Sequence, residues 1–421
     1  MLKVKKIAIV GLGYSGALCF ANIARKFQFT SNVQIDIFDK SYSMGRGLAY
    51  KKQDFTRLLN VPAFRMSAFP DNQYHFLNWL QNNGYSYEEC DFVPRGIYGN
   101  YIESIVMESV KLCKIKNIGV HFIPCEVFDI SKNDEKFTIL GKKYDHVIYC
   151  PGNFAKKING MISCFNEESI ANIANDNVII FGSGLSMIDT CITLANNPKV
   201  KKIFAISRHG RLPEIHKPQY FKTKIPPVIT EKDVKNARLS KIMRKFRQKC
   251  QDLEDWRIGF DSIRPIMQDL WLSLNIKDRG RFFAKLYSIF SVYRHRMPNP
   301  QANIVNNLIK NGVLQIVKGD YREFINAEIP KINCLGLEMN VDKIDDKLLH
   351  NLVSKKIVKK SKTNIGIMQS EIDNFHIMSP LLIGEMGEII AVPELRQMAN
   401  EISDIIAASD SIDMNINKKA Q

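Results

Sequence analysis

The chain has 421 residues, which is enough for two or three domains that each bury their own core. Hydrophobic residues make up 45% and charged residues 24% of the sequence, so a largely disordered chain is excluded. The net charge is +16, and residues 201–300 hold most of it, with 23 Lys and Arg against 9 Asp and Glu, or +14. Such a region can attract nucleic acid, an anionic surface or a phosphate-rich small molecule. Its aromatic residues fall at helical spacing, which favours the small molecule without excluding nucleic acid.

The cysteines and the apolar segments limit the setting in which the chain works. Nine cysteines are scattered without a CxxC pair and without a histidine at zinc-ligand spacing. They predict buried thiols in a reducing compartment, no metal site and no disulfide-exchange chemistry. The N-terminal lysines and the apolar run after them resemble a signal peptide, but glycines interrupt the run. No stretch of about 18 apolar residues exists, so we expect no membrane span and a cytoplasmic protein.

A β-α-β unit opens the chain, with a strand at Lys6–Val10, a helix at Ala17–Phe27 and a second strand at Val33–Phe38. The turn after the first strand carries three glycines at the spacing of a dinucleotide-binding fold. They serve the tight turn, the approach of backbone N–H groups to a pyrophosphate, and the close packing of helix on strand. The residues that we predict to bind the pyrophosphate are Gly11, Gly13, Tyr14, Ser15 and Gly16.

The same fold requires an acidic residue at the end of the second strand, where it accepts hydrogen bonds from ribose hydroxyls. Asp39 stands at that place and Lys40 follows it, and both are assigned to the first cofactor site. The alternative is a structural glycine turn in which Asp39 caps a helix. A strand at Tyr144–Cys150 closes this first unit, and Gly152 in the turn behind it is a further cofactor-binding candidate.

A second unit repeats the pattern, with a strand at Asn177–Phe181, a helix at Leu185–Leu194 and a strand at Lys202–Ile206. Met187 replaces the third glycine of its turn, which predicts a slightly larger gap between helix and strand. The second strand is followed by a basic and not an acidic residue, as suits the 2′-phosphate of NADPH, so NADPH is preferred to NADH. The alternative is that this arginine, Arg208, is an exposed residue at the end of a strand and binds no cofactor. The candidate residues of this site are Gly182, Gly184, Ser186, Ser207 and Arg208.

These units predict an α/β protein with two Rossmann-like dinucleotide-binding domains, one for FAD and one for NADPH, and a helical insertion. We expect the first part of the FAD domain at residues 1–160 and the NAD(P)H domain at 170–330. A basic helical insertion is expected at about 225–300, with a buried aromatic face. Residues 331–421 are expected to form the C-terminal part of the FAD domain.

Several further motifs resemble a bacterial family of FAD/NAD(P)-binding proteins, and the resemblance extends over nearly the whole chain. The motifs are Gly45-Arg46-Gly47-Leu48-Ala49-Tyr50, Leu59-Asn60-Val61-Pro62-Ala63, Met66-Ser67, Phe92-Val93-Pro94-Arg95, Arg264-Pro265, Arg294-His295-Arg296-Met297 and Ala391-Val392-Pro393-Glu394-Leu395-Arg396-Gln397. That family is similar in plan to class B and N-hydroxylating flavin monooxygenases. In those enzymes NADPH reduces FAD, and oxygen then forms a flavin hydroperoxide.

The resemblance also implies roles for individual residues. Gly45, Arg46, Asn60, Met66 and Ser67 would lie along the flavin, and Gly384 and Pro393 would approach its ring from the C-terminal segment. The segment Gly384-Glu385-Met386-Gly387-Glu388 departs from the family pattern because it is more acidic.

Four polar residues are candidates for the catalytic pocket. Asp71 and His75 lie four apart, so on a helix the carboxylate would orient the imidazole for proton transfer. The alternative is a helix cap at Asp71 beside a packed His75. Arg294 and His295 belong to a basic run that is either part of the pocket or an exposed charged segment.

The sequence therefore predicts an FAD-dependent, NADPH-using oxidoreductase. The first hypothesis is a monooxygenase that acts on a small molecule with molecular oxygen. A second is an NADPH-dependent flavin reductase or dehydrogenase that inserts no oxygen. A third is a flavoprotein whose basic middle region binds nucleic acid or a protein.

Overall fold

A computed structural model describes residues 4–28, 32–52, 56–217, 227–235 and 237–419, with side chains up to residue 409. Its strands are β1 Lys5–Val10, β2 Val33–Phe38, β3 Gly119–Ile123, β4 Ser131–Asn133, β5 Lys136–Ile139, β6 Lys142–Tyr144, β7 His146–Tyr149, β8 Ile162–Ser163, β9 Asn177–Phe181, β10 Lys202–Ser207, β11 Leu314–Lys318, β12 Lys331–Asn333 and β13 Phe375–Ile377.

Its helices are α1 Tyr14–Lys26, α2 His75–Asn82, α3 Arg95–Ile115, α4 Glu167–Ala171, α5 Leu185–Ala195, α6 Glu231–Lys235, α7 Leu239–Gln251, α8 Trp256–Ser262, α9 Met267–Ser273, α10 Ile276–Arg281, α11 Tyr287–Arg294, α12 Asn299–Lys310, α13 Lys347–Ser354, α14 Ile383–Met386 and α15 Val392–Lys419. Within the described part of the chain, no helix is both long and apolar enough to cross a membrane.

The first domain is built on a parallel sheet with the strand order β13-β7-β1-β2-β3. Its centre is β1, where Ile7 pairs with Ile35 on one side and with His146 on the other. Ile7, Ala8 and Ile9 are completely buried, as expected for a strand that is covered on both faces. The last strand to join, β13, lies more than 200 residues after its neighbour β7, and α15 packs on α1. The first domain is thus assembled from both ends of the chain.

The second domain repeats this plan with the order β11-β10-β9-β12-β8, and all of its strand pairs are parallel. The strand Lys331–Asn333 lies in this second sheet, so the predicted boundary at residue 331 is a few residues too early. A small antiparallel sheet of β4, β5 and β6 lies within the first domain.

The predicted helical insertion is formed by α6 to α11, although residues 225, 226 and 236 of the predicted range lie outside the described part. Phe246, Ile263 and Leu270 form its own small apolar core. A π-helical segment, Phe282–Leu286, joins α10 to α11. Such segments are rare and occur often at functional sites.

Candidate functional site

The first glycine turn has the shape that a pyrophosphate site requires. Gly11 has a φ of +98°, and a side chain there would place its Cβ 2.2 Å from the carbonyl oxygen of Cys150. A Cβ on Gly16 would lie 2.0 Å from the carbonyl oxygen of Gly11. Gly13 is the N-cap residue directly before α1; it provides no capping side chain, and the first turn of the helix holds no acidic residue. Its N-terminal N–H groups, those of Tyr14 and Ser15 included, are therefore available to an anion.

Asp39 is connected to this turn by hydrogen bonds. Its Oδ2 accepts from the backbone N–H of Leu12 at 2.7 Å, and its Oδ1 accepts from the backbone N–H and the hydroxyl of Ser41, both at 2.8 Å. Asp39 caps no helix, contrary to the structural alternative. Its position at the end of β2, beside the glycine turn, fits the ribose-binding role. Lys40 forms an exposed ion pair with Glu126.

The residues that the resemblance placed along the flavin fall into two groups. Gly45 and its neighbours lie against the turn, since the Gly45 N–H donates to the carbonyl oxygen of Leu12 at 2.9 Å. Arg46 is buried, and its guanidinium donates to Glu103 at 2.6 and 2.9 Å and to Asn100 at 2.5 Å. Arg46 therefore holds the loop against α3, and its charge is already neutralised by a carboxylate.

The remaining three residues of that set, Asn60, Met66 and Ser67, form hydrogen bonds within the protein. The Asn60 carbonyl oxygen accepts from His216 at 3.0 Å, and the Met66 carbonyl oxygen accepts from the Tyr98 hydroxyl at 3.0 Å. The Ser67 hydroxyl donates to the carbonyl oxygen of Asn72 at 2.6 Å. These contacts fix the position of the segment.

The second glycine turn reproduces the first one closely. Gly182 has a φ of +112°, and a Cβ there would lie 2.3 Å from the carbonyl oxygen of Cys334. Gly184 precedes α5 in nearly the same conformation as Gly13 precedes α1, again without a capping side chain. In each domain the first glycine thus packs against the carbonyl group that follows the neighbouring strand, β7 or β12. Two equivalent phosphate cradles follow from this geometry.

The end of β10 carries the residues that were assigned to the nicotinamide cofactor. The Ser207 hydroxyl accepts from the N–H of Gly210 at 3.1 Å, and the Ser186 carbonyl oxygen accepts from the Thr190 hydroxyl at 2.8 Å. Arg208 is exposed, and its charge acts on nearby Asp320. An exposed guanidinium at the end of this strand can meet a phosphate.

Two of the other glycine candidates differ in their surroundings. Gly152 has a φ of +74° and is exposed, and no atom lies within 4 Å of the place where its Cβ would be. Gly384 is buried, and its Cβ would lie 2.2 Å from the carbonyl oxygen of Ile365, so this glycine allows close packing of two backbone segments. Pro393 lies in the first turn of α15 and is partly exposed.

The prediction that Asp71 orients His75 on one helical face is wrong. The helix α2 begins at His75, so Asp71 lies outside it, and Asp71 instead forms a bidentate ion pair with Arg25 at 2.6 and 3.1 Å. The Nδ1 atom of His75 is 2.8 Å from the hydroxyl of Tyr101. Burial lowers the pKa of His75, so the ring is neutral near pH 7.

Arg294 and His295 do not belong to an exposed basic segment. Arg294 is 5% exposed, and its Nε donates to Glu388 at 2.7 Å, while Nε2 of His295 lies 3.2 Å from the same carboxylate. Burial alone would raise the pKa of Glu388, but the charge of Arg294 and the hydrogen bond from His295 outweigh it and hold this pKa at about 2. The next arginine, Arg296, is 1% exposed and donates to Asp261 at 2.6 Å.

Sequence reasoning missed most of the acidic partners in this buried cluster. Glu394 lies 3.6 Å from Arg294 and 4.0 Å from Arg264. Burial lowers the pKa of Arg264 to about 9, and the nearby charges of Arg294 and Arg65 act in the same direction. The cluster therefore carries more positive than negative groups in a place from which water is largely excluded. The departure of the Gly384–Glu388 segment from the family pattern was the one available signal, since Glu388 is the acid that pairs with Arg294.

Comparisons with known proteins agree with this geometry. Residues 8–154 match the family model described as FAD-NAD(P)-binding, and no curated protein matches the chain. The reduced ornithine hydroxylase of Pseudomonas aeruginosa is 12% identical with a TM-score of 0.58, and covers 96% of this chain and 99% of its own. The ornithine N-hydroxylase of Kutzneria sp. 744, solved with reduced FAD, NADP⁺ and L-ornithine, is 12% identical with a TM-score of 0.58, with coverages of 97% and 100%. The L-lysine 6-monooxygenase of Pseudomonas syringae is 10% identical with a TM-score of 0.57, with coverages of 97% and 99%.

At such low identity the three structures establish the fold, and the family model establishes the cofactor class. The predicted α/β fold with parallel sheets is confirmed, and residues 8–154 match the model of an FAD-NAD(P)-binding family. FAD and NAD(P)H are the cofactors of this chain, and their chemistry is that of an oxidoreductase.

Proposed function

We propose that the chain is an NADPH-dependent flavin monooxygenase that oxidises a small molecule. The observation that carries the proposal is the pair of equivalent phosphate cradles at Gly11 and Gly182. They occur in a chain whose fold matches N-hydroxylating monooxygenases over nearly its full length. When bound, FAD would take a hydride from NADPH and pass electrons to oxygen.

The residues of the chain supply binding and orientation for this chemistry. The N-terminus of α1 and Asp39 would hold the pyrophosphate and ribose of FAD. The N-terminus of α5 would hold the pyrophosphate of the nicotinamide cofactor, and Arg208 would meet its 2′-phosphate. The cluster of Arg294, His295 and Glu388 adjoins the C-terminal segment that the resemblance places at the flavin ring.

The buried cluster also bears on the basic region at residues 201–300. Arg294 and Arg296 are buried and ion-paired, and Arg279 pairs with Glu385 at 3.3 Å. Part of the positive charge is therefore neutralised within the fold and is not presented to a nucleic acid. This favours an enzyme over a nucleic-acid-binding flavoprotein.

The test is a steady-state assay of the purified, FAD-loaded chain with NADPH and candidate small molecules. We expect NADPH oxidation coupled to oxygen consumption and, with ¹⁸O₂, one labelled oxygen atom in the product. Stimulated NADPH oxidation without labelled product would favour the reductase or dehydrogenase instead. A chain that binds FAD but neither oxidises NADPH nor consumes oxygen with any compound would rule out both enzymes.

A further inference from the structure

The helical insertion encloses a cavity of about 540 Å³ that none of the assigned cofactor residues lines. This volume lies within the roughly 300 to 1,000 Å³ of typical small-molecule sites. The helices α7, α8, α9 and α11 and the π-helical segment surround it with aliphatic and aromatic side chains, among them Ile242, Phe246, Phe260, Leu270, Trp271 and Phe290. The aromatic residues that the sequence predicts to be a buried face therefore line a space instead of filling it.

Among the described residues that line the cavity, Arg247 is the only one that carries a charge. Arg247 and Gln251 line the cavity and are exposed to solvent, and both belong to the C-terminal half of α7. Among the described residues that line the cavity, none is an aspartate or a glutamate. The mouth of the cavity thus offers a positive charge and no negative one, which favours an anionic group over a cationic group.

The cavity also adjoins the C-terminal segment of the first domain. A small second cavity of about 30 Å³ shares Met267, Trp271, Phe282 and Phe290 with the large one. Its other wall includes Gly387 and Glu388, beside His295. An occupant of the large cavity would therefore lie close to the segment that the resemblance assigns to the flavin ring.

We propose that this cavity binds a medium-chain or long-chain monocarboxylate, with its hydrocarbon tail inside the insertion and its carboxylate at Arg247. As a statement about the substrate class, the inference rests on the proposed function. As a statement about binding, it rests only on the cavity and its charges. The apolar wall supplies the affinity, and each buried methylene group should tighten binding about fourfold.

The experiment is isothermal titration calorimetry of the FAD-loaded full chain, without NADPH, with dodecanoate, octanoate and dodecyltrimethylammonium. Dodecanoate has four more methylene groups than octanoate, so it should bind once per chain and about 250-fold more tightly. The cation should bind at least about tenfold more weakly than dodecanoate. Absence of saturable dodecanoate binding, or equal affinity for the anion and the cation, overturns the proposal.

Matched variants locate the site. Met243→Trp should fill the cavity and weaken dodecanoate binding at least about tenfold, whereas Leu272→Trp, on the exposed face of α9, should leave it unchanged. Arg247→Glu should also weaken it about tenfold, whereas Arg244→Glu, exposed on the same helix but outside the cavity wall, should not. If Met243→Trp fails to fold, Ile289→Trp, at a more exposed lining position, replaces it. Lining variants that bind like their controls contradict the proposal.

The two proposals fail in distinguishable ways. Specific dodecanoate binding without any NADPH or oxygen consumption supports the cavity and overturns the monooxygenase. Oxygen insertion into another compound, with no dodecanoate binding, supports the monooxygenase and overturns the proposal for the cavity.

Discussion

Glycine is required at Gly11 and at Gly152 for different physical reasons. Both have positive φ, +98° and +74°, but only at Gly11 would a Cβ strike a neighbour, the Cys150 carbonyl oxygen at 2.2 Å. At Gly152 the space is open. The cost at Gly152 is therefore conformational alone, about 1 kcal/mol.

We predict that Gly11→Ala lowers the free energy of unfolding by about 2 kcal/mol more than Gly152→Ala, because the alanine must displace backbone. Gly11→Ala should also reduce the FAD bound per chain. Thermal unfolding and flavin absorbance measure the two effects. Equal loss in both variants would show that the close contact with Cys150 is unimportant.

Arg208 allows a test of cofactor preference that leaves the fold unchanged. It is exposed at the end of β10, so Arg208→Ala should not affect stability. We predict that this variant raises KM for NADPH about tenfold and leaves KM for NADH unchanged, since NADH has no 2′-phosphate. Lys201→Ala, an exposed lysine before the other end of β10, is the control. A KM for NADPH that stays at the wild-type value would remove Arg208 from the site.

His376 gives the stability of the protein a dependence on pH. Burial lowers its pKa from 6.5 to about 4, so between these values the unfolded chain binds more protons than the folded chain. This part of the stability is present above pH 6.5 and is lost as the pH falls, by about 2 kcal/mol between pH 7 and pH 5. Chemical denaturation of His376→Leu should show a correspondingly flatter profile. Exposed His209→Leu should keep the wild-type slope.

At the scale of elements, the contact between the end of α11 and the 383–390 segment depends on one carboxylate. Glu388 accepts from Arg294 and lies against His295. We predict that Glu388→Gln lowers the free energy of unfolding by about 3 kcal/mol, because it leaves Arg294 buried beside other arginines. Glu371→Gln, which breaks an exposed pair with Lys359, should have no measurable effect. Equal midpoints in urea would contradict the buried role of Glu388.

The elements around the two glycine turns were predictable from sequence because their signals are local. The glycine turns, Asp39 and the strands on either side of them fall within about 30 residues, and the apolar runs of buried parallel strands are distinctive. The buried cluster was not predictable in the same way. Arg294 and Glu388 are 94 residues apart, and the acidic character of the Gly384–Glu388 segment does not indicate which residue pairs with it. The prediction for Asp71 and His75 was wrong because it required both residues to lie on one helix, whereas the helix begins at His75.

At the scale of the whole molecule, ion pairs connect the domains, and two of them involve α4 and α5. Arg95 at the start of α3 lies 2.8 Å from Asp189 of α5, whose side chain is 7% exposed. Arg57 lies 3.2 Å from Glu167. Asp189 also accepts from Gln301 at 3.3 Å. The relative placement of the two cradles thus depends partly on buried charge.

We predict that Arg95→Met destabilises the protein by about 3 kcal/mol, because Asp189 loses its main counter-ion. The double variant Arg95→Met with Asp189→Leu should recover much of that loss, since no unpaired charge remains. Differential scanning calorimetry of the four proteins in the cycle measures the coupling. Strictly additive effects would mean that the pair contributes nothing across the domain interface.

The late arrival of β13 has a consequence for synthesis of the chain. Until residues 375–377 have left the ribosome, β7 is an unpaired edge of the first sheet, and the helix that covers α1 does not yet exist. At about 5 to 20 residues per second, translation from β7 to β13 takes roughly 10 to 50 s, during which the second domain can complete its own sheet. A nascent chain of this protein should therefore present a folded second domain beside an open first one, the state in which chaperones would meet it.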